Sequence, residues 1–167
     1  MIDQLNARLA QLGAPSLHLH ALVDGLQYQE HVTGETLGAQ PGALALLHGT
    51  ADGALADAGP WLIDPKTASA GLVKQIEQLE FAAHAVTWII TPLDIESLGA
   101  ALRQRLDVHL PDGRTAMLRF WDPRVLATIA QDMDDDQRRQ FFGDIVEWHL
   151  LLNGRRVHIG RHHADTH

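Results

Sequence analysis

Three aspartates stand at the ends of apolar stretches, each directly before a glycine or a proline; they are Asp24, Asp64 and Asp122. If these stretches were neighbouring parallel strands, the carboxylates would meet at one edge of the sheet, where α/β proteins bind ligands. Carboxylate oxygens are preferred ligands of Mg²⁺, so one interpretation is a divalent-metal-dependent enzyme. The other interpretation is structural, because aspartate accepts backbone hydrogen bonds at turns and at the first residue of helices. We favour the structural role.

An arginine interrupts the apolar stretch MLRFWDPR. Arg119 alternates with Met117 and Trp121, which predicts that all three lie on one face of a strand. A partly buried guanidinium needs a partner, so we expect an ion pair with Asp24 or Asp122 rather than a clamp for a substrate anion. If that partner is buried, replacing the arginine with alanine should cost roughly 3–5 kcal/mol of stability. The Asp-Pro pair that closes the stretch predicts the start of a helix.

The eleven histidines raise the question of a metal site. His18 and His20 lie two residues apart on one face of a predicted strand, and three more histidines fall within residues 161–167. A catalytic metal site needs ligands that converge from fixed elements, usually with a carboxylate among them. We expect residues 161–167 to form a flexible tail, and His18 and His20 to face solvent or a helix. The sequence therefore predicts no metal and no cofactor.

Groups for covalent catalysis are equally scarce in the sequence. The chain has no cysteine, which excludes thiolate catalysis, disulfides and cysteine-ligated zinc. None of its three serines stands in a G-x-S-x-G motif, and no glycine-rich phosphate-binding motif occurs. We therefore predict that the protein is not an enzyme.

The composition limits the classes of partner. The formal net charge of −8 argues against nucleic-acid binding, which needs a basic surface to displace counterions from phosphates. Hydrophobic residues make up 46% and charged residues 20% of the chain, as in a globular protein with a real core. The first residues lack the pattern of a signal peptide, and no apolar run is long enough for a membrane span. We expect a cytoplasmic protein that does not insert into membranes.

Hydrophobic spacing predicts the elements that carry these residues. Apolar residues three and four apart indicate helices at the start of the chain, after Ser69 and from Ile95, with two more at about 123–131 and 136–142. Alternating or continuous apolar stretches predict strands at 17–23, 43–48, 60–65 and 85–91. The turn residues predict a turn at Asp24-Gly25 after the first strand and hairpin turns at Pro111-Asp112-Gly113 and Asn153-Gly154. The fold class is α/β, with α+β as the alternative. We expect one domain over residues 1–160, with a mixed sheet, flanking helices and late antiparallel hairpins.

The order of several short motifs resembles a known family. LHALVDGLQ, GPWLID, VTWIITPLDIESLGAALRQRLDVHLPDGRTAMLRFWDPRVL and FFGDIVEW follow one another between about residues 17 and 148. This order is similar to an uncharacterised-domain family of type VI secretion adaptors, also called effector chaperones. The resemblance implies a non-enzymatic protein that binds a secreted effector in the cytoplasm and helps load it onto the VgrG spike, often beside a PAAR-type tip. The matching positions, with structural or partner-binding roles, are Asp24, Gly25, Pro60, Trp61, Leu102, Arg103, Asp112, Gly113, Arg119, Asp122, Pro123 and Arg124.

A chaperone needs an exposed apolar surface or an open strand edge for its partner. The late aromatic residues Phe141, Phe142 and Trp148 are candidates for such a surface, although core packing explains them equally well. One further alternative is an immunity protein that neutralises a toxin, since a charge of −8 suits a basic target.

Overall fold

The structure, a computed structural model, describes residues 1–32 and 35–161. The first half of the chain contains the helix at the start, the buried strand after it and the helix after Ser69 that the hydrophobic spacing predicted. Ser69 accepts a hydrogen bond from the backbone of Leu72 and so caps the start of the third helix. The elements are α1 (Ile2–Gln11), β1 (His18–Asp24), α2 (Gly25–His31), β2 (Ala43–Ala45), β3 (Pro60–Ile63), α3 (Ala70–Ala82) and β4 (Val86–Thr91).

The second half contains two hairpins separated by two helices. The hairpin turns lie at Pro111-Asp112-Gly113 and at Asn153-Gly154, as the turn residues predicted. Both intervening helices begin at an aspartate cap, and Asp134 forms a capping box with Gln137. The elements are α4 (Ile95–Arg103), β5 (Asp107–His109), β6 (Thr115–Met117), α5 (Pro123–Asp132), α6 (Asp135–Phe142), β7 (Glu147–Leu152) and β8 (Arg155–Gly160).

Six of the strands form one sheet in the order β2-β3-β1-β4-β7-β8, and β5 pairs with β6 in a separate ribbon. The pairings in the described part of the chain are all antiparallel. The expected class, helices and strands mixed in one fold, is confirmed, and the antiparallel pairing corresponds to its α+β form.

Two hydrophobic clusters pack on opposite faces of the six-stranded sheet. Successive strand residues point to opposite faces, so Leu22 belongs to one cluster whereas Ala21 and Val23 belong to the other. Helices α4, α5 and α6 contribute to the first cluster, and α1, α2 and α3 contribute to the second. The central strand β4 is buried along its whole length, as its continuous apolar sequence predicted.

Phe141, Phe142 and Trp148 are core residues, so the prediction that they form an exposed partner-binding surface is wrong. All three are buried, and their rings pack against one another and against Phe120 at centroid distances of 5.9–6.3 Å. Edge-to-face and stacked ring pairs of this kind stabilise a core beyond the apolar area that they bury. Any partner surface must therefore lie elsewhere.

Three local predictions also need correction. The segment Gly25–His31 is a helix capped by Asp24, where the pair Asp24-Gly25 predicted a turn. The strand predicted at 43–48 ends at Ala45. The prediction of a strand through Arg119 is wrong, because β6 ends at Met117 and the following residues are irregular.

No helix among residues 1–32 and 35–161 is long and apolar enough to span a membrane. Of the predicted flexible tail, 161–167, only Arg161 belongs to the described residues; the rest lies outside them.

Candidate functional site

The three strand-end aspartates do not form one metal site. In the antiparallel register of β1 and β3, Asp24 lies opposite Pro60 and Ala21 lies opposite Ile63. Asp64 therefore follows at the other end of the strands, roughly 13 Å from Asp24 at about 3.4 Å per residue. Metal-bound oxygens lie roughly 2.0–2.6 Å from their ion, so these carboxylates cannot share one. The parallel arrangement on which the metal hypothesis depended is absent from the described strands.

Asp24 is the N-cap of α2 and accepts a hydrogen bond from the backbone nitrogen of Gln27 at 3.2 Å. Its carboxylate is almost completely buried. Burial raises the pKa of Asp24, and the backbone donors and the positive charge of Arg119 offset this only in part. An ionised Asp24 is therefore held in the fold at a cost.

Asp122 is the N-cap of α5, as the Asp-Pro pair predicted. Its two carboxylate oxygens accept from the Arg124 guanidinium at 3.0 and 2.7 Å, and one of them also accepts from the Arg124 backbone nitrogen at 2.9 Å. Burial opposes ionisation, but these hydrogen bonds prevail and lower the pKa of Asp122. The carboxylate therefore stays charged and fixes the position of the Arg124 guanidinium.

Arg119 pairs with Asp24, one of its two expected partners, at 3.6 Å. The guanidinium carbon also lies 5.7 Å from the centre of the Trp121 ring, within range of a cation–π contact. The expectation that Arg119 itself is partly buried on a strand is wrong, since 58% of its side chain is exposed. The buried carboxylate and the indole hold the arginine at the surface.

These side chains line one cleft of about 300 Å³, which we call the arginine cleft. Its walls come from β1, α2, the end of α3 and the segment that enters α5. Beside it, a second cleft is lined by Phe81, whose side chain is among the most exposed large apolar ones at 67%. The two clefts share Ala82, Ala83 and His84, so they form one continuous surface. The arginine cleft is lined by Asp24, Gln27, His31, Ala82, Ala83, His84, Arg119, Asp122 and Arg124.

Most other motif residues have structural roles. A Cβ added at Gly25 would lie 2.2 Å from the Asp57 carbonyl oxygen, so only glycine allows α2 to start against that loop. Trp61, which follows Pro60 at the start of β3, donates to the same carbonyl oxygen at 3.2 Å. Arg103 joins α4 to the segment after β2 by donating to the carbonyl oxygen of Leu46 at 2.8 Å.

The remaining motif positions also support local structure. Leu102 lies in the core and is fully buried. Asp112 and Gly113 form the β5–β6 turn, where Gly113 has a φ of +85° and Asp112 accepts from Arg114 at 2.7 and 3.0 Å. Pro123 is the first residue of α5 and is buried. The exposed motif residues with no comparable role in the fold are thus Arg119 and Arg124.

Sequence reasoning missed a second cluster, at the end of the sheet. His149 and His158 both contact the carboxylate of Glu147, at 2.9 and 3.2 Å, and the Arg8 Nε donates to it at 3.1 and 3.2 Å. Burial opposes the charge of Glu147, but the hydrogen bonds from Arg8 and His149 lower its pKa to about 2. Burial also lowers the pKa of His149. The spacing of Glu147 and His149, two residues apart on one strand, could have indicated this cluster. His158 is brought next to them only by the register of the hairpin.

The candidate metal-ligating histidines of the sequence lie outside this second cluster. His20 is buried, and its Nε2 donates to the Leu93 carbonyl oxygen at 3.1 Å, shortly before α4, so it does not face solvent. His18 stacks on it at a ring distance of 5.9 Å. The three tail histidines, His162, His163 and His167, lie outside the described residues.

A family model described as "Domain of unknown function (DUF4123)" matches residues 19–140 of this chain. The match covers well over half of the sequence, and the chain therefore belongs to this family. No curated protein and no solved structure matches the chain. The matched segment contains the arginine cleft and ends before the β7–β8 hairpin, which carries the second cluster.

Proposed function

We propose that this member of the DUF4123 family is a non-enzymatic adaptor of type VI secretion, which binds an effector in the cytoplasm and helps load it onto the VgrG spike. The ordered motifs that resemble effector chaperones support this proposal. The family match is compatible with it and by itself names only an uncharacterised domain.

The observation that carries the proposal is the exposure of Arg119 and Arg124. Their side chains are 58% and 63% exposed, while the carboxylates that hold them, those of Asp24 and Asp122, are largely buried. Both arginines line the same cleft, so two buried carboxylates hold two guanidinium groups at one surface. Arginine is enriched at protein interfaces, where its planar head can donate to several acceptors at once.

The exposed Phe81 beside the arginine cleft supplies an apolar contact for the same partner. Aromatic and arginine side chains dominate the binding energy of many interfaces, and they do so within a well-packed centre. The buried aspartates reduce the mobility of the two arginines, so less conformational entropy is lost on binding. The surface is therefore suited to binding a protein, with no requirement for a nucleophile.

The test is co-purification of the protein with a candidate effector and with VgrG after co-expression. We expect Arg124→Glu to abolish or strongly weaken effector capture. Arg114→Glu is the matched control, because Arg114 also pairs with an aspartate two residues before it and is also exposed, but lies at the β5–β6 turn. Equal effects of the two substitutions, or no capture by the wild-type protein, would contradict the proposal.

A toxicity assay separates the adaptor from an immunity protein. An adaptor need not neutralise its cargo, so cells that express the active effector should gain no protection from this protein alone. Deletion of its gene should instead reduce effector delivery to neighbouring cells. Protection without any change in delivery would favour the immunity function.

A further inference from the structure

The second cluster consists of Glu147, His149 and His158, and we call it the hairpin-edge cluster. Glu147 and His149 are two residues apart in β7 and therefore point to the same face of the sheet. His158 of β8 lies directly opposite His149, which places it on that face too. All three side chains are carried by one hydrogen-bonded hairpin rather than by loops.

The ligand atoms of the three residues are close enough to share one ion. The ring nitrogens and a carboxylate oxygen all lie within 4.8 Å of one another. Ligands at roughly 2.0–2.2 Å from a Zn²⁺ ion are about 3–4 Å apart, so small side-chain rotations suffice. Two imidazoles and one carboxylate are donors that Zn²⁺ binds well, and they leave a fourth coordination position for water or another ligand.

The fourth position has room beside the carboxylate. Glu147 lies opposite Gly160, which has no side chain to cover it. A cleft opens at this point and is lined by Val146, Glu147, His158, Gly160 and Arg161.

We propose that the hairpin-edge cluster is a Zn²⁺-binding site, with Glu147, His149 and His158 as ligands and an open fourth position. Arg8 of α1 donates to both carboxylate oxygens of Glu147 and balances its charge when no metal is bound. The guanidinium and the ion compete for the same oxygens, so zinc binding loosens this contact between α1 and the sheet. This inference does not rest on the proposed function.

The test is a zinc titration against a chromophoric chelator, using the chain of residues 1–167 with His162, His163 and His167 replaced by asparagine. We expect one Zn²⁺ per chain. His158→Asn should weaken the affinity at least tenfold, and its partly exposed side chain makes the substitution tolerable for the fold. His18→Asn is the matched control at the other stacked histidine pair and should leave the affinity unchanged. No stoichiometric binding, or equal loss with both substitutions, overturns the proposal.

Two further measurements identify the ligands. Arg8→Gln removes the competing guanidinium, so zinc affinity should rise severalfold; an unchanged affinity would show that Glu147 is not a ligand and overturn the three-ligand site. Without any substitution in the cluster, Zn²⁺ should protect His158, whose side chain is 45% exposed, from diethyl pyrocarbonate, as measured by mass spectrometry. Unchanged modification of His158 in saturating Zn²⁺ would also overturn it.

Discussion

Arg119 and Arg138 show how differently two arginines of one fold contribute to stability. Arg119 is mostly exposed and lies 3.6 Å from Asp24, so its ion pair is screened by water. Arg138 is buried and donates to the carbonyl oxygens of Ala130 and Gly160 at 2.8 and 3.1 Å. We expect Arg119→Ala to lower the free energy of unfolding by less than about 1 kcal/mol, and Arg138→Ala to lower it by roughly 3 kcal/mol or more.

Urea unfolding followed by circular dichroism measures both values. The larger loss of about 3–5 kcal/mol was expected from the sequence for a buried partner. Asp24 is buried, but Arg119 is 58% exposed and lies 3.6 Å away, so water screens the pair and the expected loss is smaller. Asp24 was one of the two partners that the sequence predicted, because aspartates at strand ends are few. It could not indicate the depth of burial, which depends on the irregular path of the chain after β6.

Asp24→Asn tests the cost of burying a carboxylate. The pKa of Asp24 in the folded state is raised above its ordinary value of 3.8, so the fold is more stable while Asp24 is protonated. That stability is lost as the pH rises and the buried carboxyl group ionises. Asparagine keeps the cap on α2 and carries no charge. We expect the thermal midpoint of Asp24→Asn at pH 7 to equal or exceed that of the wild type, and this advantage to disappear towards pH 3. A thermal midpoint of the variant that lies further below that of the wild type at pH 7 than at pH 3 would contradict this.

Asp122→Asn should show the opposite behaviour. The pKa of Asp122 is lowered in the folded state, so its ionised form contributes stability above pH 3.8 that is lost as the pH falls. Asparagine can still cap α5 but loses the charge-assisted hydrogen bonds to Arg124. We expect a loss of about 1 kcal/mol at pH 7 that vanishes in acid. The same thermal scans from pH 3 to 7 measure it, and equal pH profiles for the two variants would refute both assignments.

At the level of elements, Gly25 sets the start of α2. A Cβ there would lie 2.2 and 2.6 Å from the carbonyl oxygens of Asp57 and Gly59, and the Gly25 nitrogen donates to the Gly59 oxygen at 2.8 Å. Backbone atoms cannot move aside as a flexible side chain can, so we expect Gly25→Ala to cost roughly 1–3 kcal/mol. Gly71→Ala, in the first turn of α3, is the control because its Cβ would meet only Ser69 Oγ at 3.9 Å. It should keep or slightly raise the thermal midpoint.

Regular spacing predicted most elements, and two failures have physical causes. The pair Asp24-Gly25 suits a tight turn as well as a helix cap, and only the contact with the loop before β3 selects the helix. The segment after Met117 has consecutive buried aromatic residues, Phe120 and Trp121, whereas a half-buried strand would bury alternate residues. Its apolar composition reflects a core position and does not distinguish a strand from an irregular segment.

At the level of the whole molecule, the direction of strand pairing determined which residues meet. Antiparallel pairing of β1 and β3 separates Asp64 from Asp24, while the packing of α5 against the sheet brings Asp122 to the same cleft as Asp24. Neither result follows from local sequence, because β1, β3 and α5 lie far apart along the chain. The same holds for Glu147, whose partner Arg8 is 139 residues away. The candidate residues and the helix caps could be predicted from the sequence, whereas the groups of residues that lie together in space depend on the topology.

Phe81 and Leu55 provide the sharpest test of where a partner binds. Both side chains are highly exposed, at 67% and 58%, but Phe81 lies on the surface continuous with the arginine cleft, whereas Leu55 lines neither cleft. A phenylalanine that fills a partner's pocket contributes about 2 kcal/mol or more to binding, which corresponds to at least a tenfold change in Kd. We expect Phe81→Ser to weaken effector binding tenfold or more in a titration, and Leu55→Ser to leave it unchanged. Neither substitution should lower the thermal midpoint appreciably, because neither side chain is in the core. A stronger effect of Leu55→Ser would move the partner surface to the loop before β3.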